Sequence, residues 1–445
     1  MIDIDPTILT ILMLGGVLVI ILSGHLLGAA VGGLALVIGF LVLGDATFQI
    51  MYLRVYSIAL HYGLAAVALF VFMGSMLERS GIAEELYNGL YLWLSGFRGG
   101  LAVTTVVLGT VLAACVGVIA ASVSMLTLVA LPAMIKRNYD KSLACGTCAV
   151  GGTLGILIPP SIMLVIYGPM AQVSVGKLFM GAFIPGFTLA FMYIVYIAIR
   201  CFIQPQAGPS VPVEQRTTAS FLKKTTMLLK ALVPTAFIVL AVLGTIFLGI
   251  ASPTEAASVG ALASIILAAI HRRLSWQVLK DTCLTTMRVS SFSFFIAGMS
   301  YAFVGVFLSM GCGEVLMNLI LSAPGGRWGA FIAVMLVMFI LGMFIDWLGI
   351  LFIVVPIIAP VAPALGFDPV WFGIMICVNL QMAFNTPPLA QAIFFVKGSA
   401  APELGIELID IIKGVLPFIF LIMLGLVIFA VFPQMILWLP SIMIK

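Results

Sequence analysis

Two short stretches hold the residues best suited to chemistry. Gly151-Gly152-Thr153-Leu154-Gly155-Ile156-Leu157-Ile158-Pro159-Pro160-Ser161 interrupts an uncharged, apolar run from Ser142 to Gly176. Asn379, then Asn385-Thr386-Pro387-Pro388, interrupts a second run between 369 and 396. Glycines and paired prolines cannot sustain an α-helix. The unwound backbone frees carbonyls and amides, which at membrane depth are tolerated only where they line a cavity or bind something. One such break reads equally well as a proline kink. Two at matching places favour an ion and solute site.

The other polar residues read more plainly. Ser252-Pro253-Thr254-Glu255 has the form of a capping box with proline at the first helical position, so Glu255 is expected to cap a helix and not to bind an ion. Asp140 and Asp368 precede helices and read as N-caps. Asp346 sits inside a long apolar block. In a hairpin it would lie near the tip at membrane depth, where a charge is costly and functional; in two full spans it would lie at the surface. Cys145-Gly146-Thr147-Cys148 opens a span of small residues and reads as close helix packing, not redox or metal chemistry. His25, His61 and His271 are far apart. No GxxxxGK[ST] phosphate loop occurs. No nucleophile with a base, and no metal-ligand cluster, lies inside the spans, which argues against a membrane-embedded enzyme.

The elements that position these residues follow from composition. The chain has 445 residues, 63% hydrophobic and only 8% charged. An ordinary soluble domain is about 25% charged. Soluble enzymes, nucleic-acid binders and disordered scaffolds are therefore excluded. The apolar residues run in blocks and do not alternate as in a β-barrel. Seven scattered cysteines indicate no disulfide framework. The acidic start Met1-Ile2-Asp3-Ile4-Asp5 is unlike a signal peptide, so the first apolar stretch is expected to remain as a span.

Spans are expected at 7–22, 26–43, 58–77, 180–199, 231–250, 255–270, 289–311 and 414–432. Residues 82–96 and 313–325 read as helices lying in the interface. Gln204 to Lys224, with three prolines, reads as a linker. Arg98 and Arg327, Pro132 and Pro360, Asp140 and Asp368, and Pro159-Pro160 and Pro387-Pro388 pair at one offset of about 228 residues. This argues for an internal duplication: 1–203, a linker 204–224, and 225–445. With the N-terminus outside, only Arg54, Lys177, Arg327 and Lys445 of the 20 basic residues fall outside. The positive-inside rule favours that arrangement, which places the halves in opposite orientation.

Each half holds an uncharged block of about 35 residues, 99–135 and 328–364, that must return to the side it entered. Two legs of about 16 residues reach only ~24 Å, short of a ~30 Å hydrocarbon core. A re-entrant hairpin fits, although residues 6–44 are about as long and read as two full spans.

The run GGTLGILIPPS resembles the hallmark of the large membrane subunit of tripartite ATP-independent periplasmic (TRAP) transporters. Ser252–Ala257, the run Gly342-Met343-Phe344-Ile345-Asp346-Trp347, and Asp368-Pro369-Val370-Trp371-Phe372-Gly373 resemble it too. The likeness extends from about residue 8 to 432. It implies an all-α polytopic membrane protein with two inverted-topology repeats, each with a re-entrant helical hairpin and a proline-broken helix. It implies an elevator-type, sodium-driven carrier of organic acids in the bacterial inner membrane. It also implies two partners, a small membrane (Q) subunit and a periplasmic substrate-binding (P) subunit. One departure is the first hairpin tip, Gly117-Val118-Ile119-Ala120-Ala121-Ser122-Val123-Ser124, which is poorer in hydroxyls than in many relatives. Backbone carbonyls are expected to serve there.

Sodium is a hard cation and takes oxygen ligands. The first expected sodium site comprises Ser122, Gly152, Thr153, Gly155 and Pro159, chiefly through carbonyls. The second comprises Gly342, Asn379, Asn385, Thr386 and Pro388. Ser124 and Asp346 are expected near the solute. No cofactor is expected beyond the coupling ion. A stand-alone ion-coupled anion carrier of similar fold, needing no binding protein, is the alternative.

Overall fold

The computed structural model describes residues 4–94, 96–116, 119–210 and 221–443. Every regular element among them is helical. The chain opens with α1 (Pro6–Leu22), α2 (Leu27–Leu43), α3 (Ala46–Ala59), α4 (Ala65–Arg79) and the short α5 (Ile82–Leu94). Then α6 (Gly100–Val116) and α7 (Ile119–Ile135) pack against each other. The first break separates α8 (Lys141–Thr153) from α9 (Ile162–Ala171), and α10 (Val175–Ile203) closes the half.

The second half begins with α11 (Phe221–Phe247), α12 (Pro253–Ile270), α13 (Trp276–Ser309) and α14 (Cys312–Leu321). The outgoing leg α15 (Gly326–Phe344) turns at Ile345-Asp346. Its return leg comes in pieces: α16 (Trp347–Gly349), a π turn at Ile350–Val354, α17 (Val355–Ile358) and α18 (Val361–Ala364). Pro356, Pro360 and Pro363 lack the N–H that a continuous helix would use there. The second break separates α19 (Pro369–Ala383) from α20 (Gln391–Ser399). α21 (Leu408–Val431) and α22 (Gln434–Ile442) follow.

The order from α5 through α10 thus recurs from α14 through α21. Matching N-caps reinforce the correspondence. Asp140 accepts from the Leu143 amide at 2.8 Å, and Asp368 accepts from the Val370 amide at 2.8 Å. The capping box at α12 is present in full. The Ser252 amide donates to Glu255 Oε2 at 2.7 Å, and the Glu255 amide donates to Ser252 Oγ at 3.4 Å.

Lipid offers no hydrophobic drive between helices, so close approach must come from small residues. Glycine supplies it at the centre. A Cβ on Gly146 would lie 2.3 Å from the Gly414 carbonyl oxygen, so α8 and α21 meet backbone to backbone. A Cβ on Gly109 would lie 2.5 Å from the Gly151 oxygen, which brings α6 equally close to α8. The main core joins α4–α10 with α15–α21. A separate apolar cluster joins α1, α2 and α13. Outside, Ile11, Phe191, Phe202, Phe237 and Trp276 face outward from the bundle.

Several expected boundaries move. Between the spans expected at 26–43 and 58–77 lies a further helix, for Ala46–Ala59 forms α3, which packs along α2 and α13. Its Gln49 and Arg54 interrupt hydropathy without interrupting the helix. The span expected at 289–311 begins at Trp276, because Ser275 caps it by accepting from the Val278 amide at 3.2 Å. The end of the 204–224 linker is helical from Phe221, while 211–220 lie outside the described residues. After α21, α22 continues to Ile442.

Candidate functional site

The two breaks meet in the interior. α8 ends at Thr153 in a short 3-10 turn, Leu154–Ile156, and the backbone is irregular through Ser161. Every residue from Gly151 to Ile166 is buried. Ser161 donates its hydroxyl to the Ile156 carbonyl, closing the loop on itself. The second break is more open: Asn385 is buried, but Pro388 and Leu389 are exposed. Both Pro-Pro bonds are cis.

The bridge between them is a side-chain hydrogen bond. Asn385 Nδ2 donates to Thr153 Oγ1 at 3.3 Å and to the Gln381 carbonyl at 2.9 Å. Thr153 Oγ1 in turn donates to the Val150 carbonyl at 3.1 Å. The first expected ion site therefore touches the second through this contact. Ser122 lies in the first turns of α7, whose Val123 presses on Gly152. A Cβ on Gly152 would lie 2.4 Å from Val123 Cγ2 and 2.7 Å from its Cα. Gly117 and Val118 of the first tip lie outside the described residues.

The helices that meet at the breaks carry unpartnered oxygens. Asn385 Oδ1, Gln381 Oε1 and Ser122 Oγ are buried with no hydrogen-bond partner. Burying a polar group without a partner costs about 1–3 kcal/mol each. Unpartnered neutral oxygens suit a ligand that takes oxygen donors, as hard cations do. Among the described residues no group of His, Cys, Asp and Glu could hold a metal ion. Cys145 and Cys148 are buried free thiols, in keeping with a packing role.

The remaining expected residues divide. Gly342 sits beside the second break, where a Cβ would lie 2.6 Å from Ala383 Cβ. Asn379 Nδ2 donates to the Met335 carbonyl at 2.7 Å, tying α19 to α15. Thr386 Oγ1 donates to the Met382 carbonyl at 2.9 Å, which leaves its lone pairs free. Gly155 and Pro159 are fully enclosed in the first break. Ser124 is half-buried on α7. Asp346 stands at the turn between α15 and α16. It caps α16 through the Leu348 amide at 3.3 Å and accepts Gln391 Nε2 at 2.5 Å. The Leu389 amide donates to the Met343 carbonyl at 3.2 Å, so two bonds hold this turn against the second break.

Sequence reasoning missed Gln381 and Gln391. Gln381 stands four residues before Asn385, the spacing that places both on one face, in a helix whose one other amide is Asn379. Its Nε2 reaches Tyr193 Oη at 3.5 Å. A larger cavity, about 670 Å³, opens beside Tyr139, Asp140, Arg200 and Gln204 and does not reach the breaks.

Eight helical stretches are long and apolar enough to cross a membrane, and two broken helices meet among them. That combination defines a multi-span membrane carrier. The family described as the tripartite ATP-independent periplasmic transporter, DctM component, matches residues 14–435. The chain is 30% identical to the C4-dicarboxylate TRAP transporter large permease of Vibrio cholerae, over 86% of each chain. It is 29% identical to the sialic acid TRAP transporter permease of Haemophilus influenzae, over 86% of this chain and 60% of that one. It is 28% identical to the ectoine large permease of Halomonas elongata, over 85% and 86%. The YdaH transporter of Alcanivorax borkumensis shares the fold, with a TM-score of 0.62 at 16% identity, over 97% of this chain and 99% of that one. The chain belongs to the TRAP large-permease family. It is a transport protein and not an enzyme.

Proposed function

We propose that this subunit carries a small organic acid inward across the bacterial inner membrane, driven by sodium. A periplasmic binding protein delivers the solute, and a small membrane subunit completes the permease. The N-terminus lies in the periplasm, the two halves are inverted, and one module moves past the other as an elevator. The observation that carries this reading is the junction of the breaks. Asn385 Oδ1 is buried there without a partner, beside the Asn385–Thr153 bond, and Gln381 Oε1 and Ser122 Oγ on the adjoining helices α19 and α7 are buried and unpartnered as well. A sodium ion at this junction would satisfy them and bind the two halves together. The relatives named for C4-dicarboxylate and sialic acid support an organic acid as cargo.

The test is uptake over a panel of carboxylates, with the small subunit and the cognate binding protein reconstituted in proteoliposomes. Uptake should collapse when choline replaces sodium. Undiminished uptake under a proton gradient alone would overturn the coupling.

A further inference from the structure

We propose that a chamber between α3, α13 and the ends of α9, α17 and α18 is the entry site for the solute. The Arg54 guanidinium is its carboxylate-binding group. The inference rests on the reading that the cargo is an organic acid and that residues 44–64 face the periplasm. The chamber holds about 440 Å³ and is lined by Arg54, Gln172, Tyr301, Ala359 and Pro363, among others. That volume lies within the range of small-ligand sites, roughly 300–1,000 Å³.

Three observations single out Arg54. First, among the described residues no carboxylate pairs with it, and none of the chamber's lining residues is acidic. A guanidinium presents a planar fork of donors that matches a carboxylate. Second, its arm is positioned. A Cβ on Gly305 would lie 2.5 Å from Arg54 Cγ and 3.0 Å from its Nε, so the stem lies across the α13 backbone where only glycine leaves room. Third, basic residues are selected against on the outer side. Arg54 is one of four there in the proposed topology, and it stands mid-helix in α3, not in a loop.

The opposite wall is built from the far ends of segments that run to the breaks. Gln172 follows α9, the helix that leaves the first break. Pro356, Ala359 and Pro363 belong to the return leg that begins at Asp346. A carboxylate docked on Arg54 is therefore held between α3 and α13 on one side and the segments leading to both breaks on the other. Arg54 takes up the acid before it reaches the ion site.

Charge-selective modification tests this without knowing the solute. Ala171, on the chamber wall, becomes cysteine in the assembled transporter in intact cells. Membrane-impermeant anionic and cationic methanethiosulfonates of similar size are applied from outside. Arg54→Gln should lower the ratio of anionic to cationic reaction rates roughly tenfold, and Arg54→Lys should preserve it. Gly305→Val, which displaces the arm, should lower it as well. An unchanged ratio in Arg54→Gln, or no modification of Ala171→Cys from outside, would overturn the assignment. Sodium-independent uptake would sink the coupling proposal and leave this ratio untouched.

Discussion

Asn385 is the residue on which the ion proposal turns. Its nitrogen is committed to Thr153 and Gln381, while its oxygen is buried and free. Asn385→Ala removes the free oxygen and the bridge together. With about 1–2 kcal/mol lost per ligand, the sodium concentration for half-maximal uptake should rise roughly tenfold or more. Thr386→Val should act in the same direction but less. Its hydroxyl already donates to Met382, so valine removes one ligand oxygen and one local bond and leaves the inter-helix bridge intact. Gln381→Leu keeps the size and removes Oε1, and should resemble Asn385→Ala in its sodium dependence. Titrating sodium against initial uptake rates in the three variants separates them. Equal, unchanged sodium requirements in all three would move the ion site away from the junction.

Helices here approach through glycine, and that makes element packing testable. Gly146→Val would drive its side chain into the Gly414 backbone, which has no rotamer to yield. Overpacking of this kind costs typically ~1–3 kcal/mol, so the purified protein should melt at a lower temperature. Gly33→Ala is the control. Nothing lies within 4 Å of a Cβ there, and alanine favours a helix interior by roughly 0.5–1 kcal/mol. That variant should hold or raise the melting temperature, and a matching loss in both would remove the close-packing explanation. At this scale the sequence was legible where chemistry forces the backbone. Pro159-Pro160 and Pro387-Pro388 announce the two breaks, and Asp140, Asp368 and Ser252 announce the helix starts. It was silent where tertiary context decides. α3 carries Gln49 and Arg54, and Asp45 before it makes no side-chain cap hydrogen bond, so nothing local marked it as a helix. Gln381 was hidden because an amide in a largely apolar helix has many uses; its spacing from Asn385 is local, but only the fold brings its side chain within reach of Tyr193.

In the proposed topology the charged contacts of the whole molecule group by side, as the positive-inside rule asks. Arg79 pairs with Asp281 at 3.6 Å, and His271 Nδ1 lies 3.6 Å from Glu85 Oε2. These contacts join the end of α4, the start of α5, the end of α12 and the start of α13, all expected inside. Arg200 and Asp140, 3.1 Å apart, are expected on that side as well. Elsewhere, Lys177 shares a cavity with Gly249 and Ser252, and Arg54 shares one with Gln172 and Pro369. These are segments expected outside. The prediction is that Gln206 and Ser322, both exposed, lie on opposite sides of the membrane. Gln206→Cys should react with an impermeant thiol reagent only after the cells are opened, and Ser322→Cys should react in intact cells. The positive-inside bias gives the direction as well as the difference, since 16 of the 20 basic residues fall on the side of Gln206 once Arg54, Lys177, Arg327 and Lys445 are set outside. Labelling of both cysteines in intact cells would place α14 and the end of α10 on one side. The matching order of α5–α10 and α14–α21 would then describe parallel halves, and the elevator proposal would lose its symmetry.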